Sequence, residues 1–359
     1  MALTLDGTNG IVSSGSITTQ SATGVIFSDS SSLPAASSPY VLKNRIINGD
    51  MVIDQRNAGA SITPSSGFTY SLDRWQYGAD VGSKVSIQRN AGSVTPPAGY
   101  TNYLGVTSLS AYTAGASEQY DLIQHIEGYN TADLAWGTAD AKTITLSFWV
   151  RSSLTGTFSG SLVNGAGNRS YPFTYTISSA NTWEKETITI PGDTSGTWYT
   201  DNTAGVNVKF DFGSGSNFLG TANAWTGSEK MGVTGSVSIV GTNGATWYVT
   251  GVQFEVGSTA TPFERRLYGQ ELINCQRYFE ISGATGATSN PNYHGTLYDP
   301  TSTLYLGQIQ FQVTKRTAPT VTVGAGSTGA ASVIGISSFF FTRSAAAAYL
   351  TYWTASAEL

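Results

Sequence analysis

Cysteine, histidine and charge are scarce in this chain: one Cys, two His and 11% Asp, Glu, Lys and Arg among 359 residues. A lone Cys275 excludes an intrachain disulfide and a thiolate metal cluster. Globular proteins average about 25% charged residues, so long helices laced with Glu and Lys are not expected. The net charge of −5 and the absence of any Lys/Arg run argue against a nucleic-acid surface. No run of about 18 apolar residues occurs, so membrane insertion is not expected. Met1 to Gly10 has neither the basic start nor the apolar core of a signal peptide, which suits synthesis in the cytoplasm. Glycine-rich phosphate loops leading into a helix, HExxH spacing and heptads are also missing.

What the chain does have is 41 Gly and 12% aromatic residues, a composition suited to β-strands joined by tight turns. Alternation runs through it. In Thr143 to Val150, Ile144, Leu146, Phe148 and Val150 form one face and Trp149 projects from the other. In Trp247 to Val256 the pattern groups Tyr248, Val252, Phe254 and Val256 against Trp247, Gln253 and Glu255. Ile46, Ile47, Met51 and Ile53 read as a strand interrupted at Asn48-Gly49-Asp50, and further runs between Trp75 and Val240 are separated by Gly, Asn, Asp and Ser. The expected fold is all-β, a jelly-roll β-sandwich over 44–281.

Residues 1–43 are rich in Ser, Thr, Ala and Gly and cannot bury enough surface to fold alone. They read as a disordered leader or, as favoured here, an extended attachment arm ordered by strand addition. Residues 282–359 form a small C-terminal β region. Phe339, Phe340, Phe341 and Tyr349 to Trp353 supply more apolar surface than so small a piece is expected to bury by itself. That surface suits packing on the sandwich or a subunit interface.

The segments NRIINGDMVIDQRNAG (Asn44 to Gly59), YSLDRW (Tyr70 to Trp75), LIQHIEG (Leu122 to Gly128), TITLSFWVRSS (Thr143 to Ser153), NTWEKETITIPGDTSGTW (Asn181 to Trp198) and EVGSTATPFERRLYGQELINCQRYFEI (Glu255 to Ile281) carry a resemblance. In order and spacing they resemble a family of tailed-bacteriophage fibre and tail proteins with a jelly-roll domain similar to carbohydrate-binding modules. The resemblance implies a homotrimeric virion component, held to other tail or baseplate proteins through residues 1–43 and acting outside the host cell. It also implies recognition of host cell-surface polysaccharide through weak contacts multiplied by valency. A structural calcium is implied at Asp50 and Glu255, although capping of the bend by Asp50 explains that residue as well.

Neither histidine, His125 in an alternating strand or His294 beside Tyr293, has the context of a catalytic base. Asp73, Asp121, Glu127 and Glu255 are acids in or near strands, but nothing in their spacing pairs them for glycoside hydrolysis, so no enzymatic role is expected. Sugar binding instead needs exposed rings that stack on pyranose C–H surfaces. The 8 Trp and 19 Tyr exceed what a core requires. Trp75 with Tyr77, Trp149, Trp183, Trp198 with Tyr199, and Trp247 form one aromatic set, and Tyr293, Tyr298 and Tyr305 a distal one. The expected glycan contacts are Trp149, Tyr293, Tyr298 and Tyr305, with core or interface packing as the alternative for each. A structural tail or capsid-surface role without receptor binding is the competing function, and a polysaccharide-degrading fibre a further one.

Overall fold

The computed structural model describes residues 43–282, 305–324, 327, 329–343, 350 and 352–359, and two short strands ahead of them. Those strands, β1 (Val25–Ile26) and β2 (Ser32–Leu33), pair antiparallel within a unit spanning Met1–Leu42. Lys43–Leu359 form the second compact unit.

Alternating sequence in the second unit produces two facing antiparallel sheets. One has six strands in the order β10 (Ser170–Ile177), β9 (Gly156–Asn164), β12 (Ala204–Asp211), β7 (Tyr120–Glu127), β4 (Trp75–Ala79) and β3 (Gly67–Leu72). The other has five: β11 (Glu184–Ile190), β8 (Ile144–Ser152), β15 (Thr246–Val256), β6 (Leu104–Ser108) and β5 (Val85–Arg89). The chain crosses repeatedly between them, giving a jelly-roll β-sandwich. Between β12 and β15 runs a long excursion that contains a short parallel ladder of β13 (Leu219–Gly220) and β14 (Gly232–Val233).

Inward faces of the two sheets meet in an aromatic core. Phe148 packs edge-on against Phe210 at 5.0 Å and Tyr175 at 5.2 Å, and Trp247 lies 5.2 Å from Phe210 and 5.0 Å from Phe212. Trp247 is fully buried, so the facing expected for it is corrected. Thr250 pairs with Trp149 and Gln253 with Ser147, which leaves Gly251 and Val252 opposite Phe148 alone. This β-bulge switches the alternation: Trp247 and Val249 point inward before it, Val252 and Phe254 after it. Tyr248 thereby turns outward and joins Ala91 and Tyr103. Gly251 adopts φ +62°, a conformation that suits glycine, and a Cβ there would lie 2.6 Å from the Tyr100 hydroxyl oxygen.

The bulge also receives the segment that precedes the sandwich. Asn44 accepts from the Phe254 N–H (3.0 Å) and donates to the Val252 carbonyl (3.1 Å). Residues 46–53 are not a strand, contrary to the alternation of Ile46, Ile47, Met51 and Ile53. Asn48 (φ 60°) and Met51 (φ 61°) fold them into a bend, and the Asn48 side chain bonds Ile53 at both its N–H and its carbonyl.

After β15, Arg266 donates to the Ile46 carbonyl and pairs with Glu264 and Glu271, which fastens the segment after this strand to the body. A helix, α1 (Tyr268–Gln276), follows that the sequence pattern does not announce. Beyond it lie two three-stranded antiparallel sheets. The first is β16 (Phe279–Ile281), β21 (Trp353–Ser356) and β18 (Thr320–Val323), and the second β17 (Tyr305–Gln310), β20 (Ser338–Arg343) and β19 (Gly329–Ser332). Phe311, Phe339, Phe341 and Trp353 close a small core between them, so among the described residues part of this region's apolar surface is buried within the region itself.

The C-terminal region meets the sandwich through charge. Arg74, 1% exposed, pairs with Glu358 and lies 3.6 Å above the Tyr278 ring. Arg56 also binds Glu358 at 2.7 Å, and Glu127 accepts from Arg277 and from the Tyr278 hydroxyl (2.6 Å).

A candidate sugar-binding pocket

At one end of the sandwich two loops, 128–138 and 193–203, are laced together by backbone bonds. The N–H of Gly128 donates to Thr203, that of Tyr129 to Asp201 and that of Gly137 to Asp193. A Cβ on Gly128 would lie 2.5 Å from the Tyr199 carbonyl, so glycine permits this approach. Asp193 is fixed from below by Arg169, which binds both its oxygens at 2.6 and 2.7 Å.

Between the loops lies a cavity of about 170 Å³ lined by Thr131, Leu134, Trp136, Trp198, Tyr199 and Val206 together with Ala132, Ala135, Thr138 and Thr200. Trp136 and Trp198 meet edge to face at 4.7 Å, and Trp225, carried by the excursion before β15, completes the cluster at 5.4 Å from Trp136 and 5.5 Å from Trp198. Their indole N–H groups donate to the backbone carbonyls of Lys142, Ser195 and Pro191. The rings are therefore fixed in place, and what they offer a ligand is ring surface. Trp136 is 7% exposed, Trp198 is half-buried and Tyr199 is 39% exposed. The depth thus grades from apolar floor to open rim.

Of the residues expected to touch glycan, Trp149 is half-buried on the outer face of the five-stranded sheet, in register with Lys185 and Thr250. Tyr293 and Tyr298 lie outside the described residues, as does His294; Tyr305 opens β17, and its side chain is outside them too. Trp149, the described one of the four, does not line the pocket. It does use Trp198 and Tyr199 from the jelly-roll aromatic set. Trp136 was missed, although a tryptophan in the Gly-, Thr- and Asp-rich stretch between two strands was the available signal.

Glu255 accepts from Gln253 Nε2 (2.8 Å) and from the N–H (2.9 Å) and hydroxyl (2.5 Å) of Thr261. Asp50 borders a separate small cavity with Glu264, Arg266 and Glu271. Burial and then Glu271 raise its pKa. With donors on one carboxylate and guanidinium groups beside the other, the pair does not fit a shared calcium. Among the described residues no group of three or more His, Cys, Asp or Glu is placed to hold a metal.

Of the other candidate residues, Asp73 and Asp121 are buried and His125 is half-buried. His125 Nδ1 lies 2.6 Å from Asn207 Oδ1 and Nε2 3.0 Å from Gln76. Burial pulls its pKa down to about 4 and leaves the ring neutral near pH 7. Asp73 accepts from the Gln55 N–H (2.7 Å) and side-chain amide (2.6 Å), and burial pushes it up to about 6. Asp121 stands directly opposite Asp211 across β7 and β12. Its Oδ2 lies 3.1 Å from Lys209 Nζ, and among the described residues neither oxygen has another hydrogen-bond partner. Burial raises it to about 6.

No family model and no curated protein matches the chain. Solved structures do. The enzymatically active domain of tailspike protein 4 of bacteriophage CBA120 is similar at 12% identity and a TM-score of 0.31, over 60% of this chain and 21% of that one. The chain thus spans about a fifth of the tailspike. A family 4 carbohydrate-binding module is similar at 15% identity and a TM-score of 0.29, covering 58% and 98% of the two chains. A family 11 carbohydrate-binding module of Clostridium thermocellum, solved with a mixed-linked tetrasaccharide, stands at 14%, with a TM-score of 0.28 and coverage of 56% and 98%. At such TM-scores the likeness decides neither ligand nor activity.

Proposed function

We propose that the chain is a bacteriophage fibre protein that recognises a host cell-surface glycan and does no chemistry on it. The observation that carries the glycan reading is the tryptophan pocket. It has two locked indoles, Trp136 and Trp198, with Trp225 packed behind them, an apolar floor and a hydroxyl-bearing rim, the combination that suits the C–H faces and hydroxyls of a sugar. The virion role, attachment through residues 1–43 and the trimer rest on the resemblance of the quoted segments to fibre proteins. The closed C-terminal core adds no support for the trimer. The non-enzymatic reading is supported by the acids: Glu127, Glu255 and Asp73 accept several hydrogen bonds each, and Asp121 is sealed within the molecule.

The test is adsorption competition. Purified protein added to host cells before phage should raise the number of unadsorbed particles in proportion to dose, and Trp198→Ala should remove that protection. If wild-type protein neither protects nor labels the cells, a structural virion role replaces this reading.

A further inference from the structure

Resting on the glycan reading, we infer that the pocket receives a methyl group of an uncharged sugar: the C6 methyl of a 6-deoxyhexose or the acetyl methyl of an N-acetylhexosamine. The cavity's volume of about 170 Å³ falls below the roughly 300–1,000 Å³ of pockets that enclose a whole drug-sized ligand. Only a part of an oligosaccharide enters it. Its floor is Leu134 and Val206, each 1% exposed, beside Trp136.

Among the described residues, no charged side chain lines the cavity. A carboxylate or phosphate substituent would meet no cation there, and an ammonium no carboxylate. The donors are also spent. Trp136 Nε1 donates to Lys142 (2.7 Å) and Trp198 Nε1 to Ser195 (3.2 Å), while the hydroxyls of Thr131 and Thr138 donate to Gly128 (3.2 Å) and Ala135 (2.6 Å). A sugar hydroxyl driven to the floor would give up its water and find apolar carbon. A methyl loses nothing by leaving water and gains contact with three side chains. The exposed rim of Thr138, Tyr199 and Thr200 is left to meet the ring hydroxyls.

Saturation-transfer NMR on the whole chain tests this with matched sugars: L-rhamnose against L-mannose, L-fucose against L-galactose, and N-acetylglucosamine against glucose. In at least one pair the methyl-bearing sugar binds about tenfold tighter, the scale on which apolar pockets discriminate, and its methyl protons take up the strongest saturation. The successful pair identifies which methyl is used. Ala132→Phe, which fills the exposed rim and leaves the floor intact, abolishes that signal without lowering the melting temperature. If both members of every pair bind alike, if saturation centres on ring protons, or if host polysaccharide binds while none of the six sugars does, the methyl assignment falls and the glycan reading stands. If neither the sugars nor host polysaccharide bind, both fall.

Discussion

Two residues hold conformations or charges that the surrounding structure imposes at a cost. Gly251, at φ +62° inside the β15 bulge, is the one position on that strand where a side chain meets the Tyr100 hydroxyl at 2.6 Å. Gly251→Ala is expected to lower stability by roughly 1–3 kcal/mol in urea unfolding; an unchanged midpoint would show that the strand reregisters freely. Asp121 carries the second cost, because its folded pKa is raised from 3.8 to about 6. The folded protein then binds this proton more tightly than the unfolded chain, so its contribution is greatest below pH 4. It is lost as pH rises through about 6 and is constant above about pH 7. Asp73 acts in the same direction and His125 in the opposite one, its pKa being lowered. The difference between Asp121→Asn and wild type isolates the term. Relative to wild type, the variant should gain about 2 kcal/mol between pH 4 and pH 6, a few tenths more to about pH 7, and nothing further to pH 8. A flat difference would mean that Lys209, 3.1 Å away, fully neutralises the carboxylate.

At the scale of elements, strands whose apolar residues alternate without interruption were legible in the sequence. Thr143 to Val150 is the clearest case, with Ile144, Leu146, Phe148 and Val150 all buried and Trp149 half-buried on the other face. The facing of Trp247 was not legible from the alternation, because one inserted residue at Gly251-Val252 reverses parity and is marked in the sequence by the glycine alone. The bend at 46–53 escaped for a related reason: Ile46 and Ile53 are buried, but side chains rather than a ladder hold the backbone, Asn44 at Ile46, Gln124 at Ile47 and Asn48 at Ile53. α1 has only nine residues, including Gly269, and Glu271 and Cys275 are its buried positions, so its apolar signal is weak. The pocket was half legible. Trp198 and Tyr199 stood out as aromatics in polar company, but their meeting with Trp136 and Val206 depends on loops that converge only after folding.

The charged junction between the C-terminal region and the sandwich also belongs to this scale. Arg74 and Glu358 are both nearly enclosed, at 1% and 6% side-chain exposure. Removing one partner leaves the other charge buried, so Arg74→Met should cost about 3–5 kcal/mol. Urea denaturation followed by tryptophan fluorescence would read this loss. A cost below about 1 kcal/mol would show that Arg56 alone holds Glu358.

The whole molecule joins a rigid jelly roll, whose aromatic core fixes the two sheets, to a pocket built at their end from loops rather than on a sheet face. Recognition by such a pocket is expected to be weak per copy and to gain strength through valency. Its central claim is most directly tested by titrating host polysaccharide into the purified protein and following tryptophan fluorescence. Wild type and Trp149→Ala should show the same saturable change, while Trp198→Ala and Tyr199→Ala should weaken binding on the order of tenfold to a hundredfold with melting temperatures preserved. Loss of binding on Trp149→Ala with Trp198→Ala unaffected would contradict the account and move the site to the outer face of the five-stranded sheet.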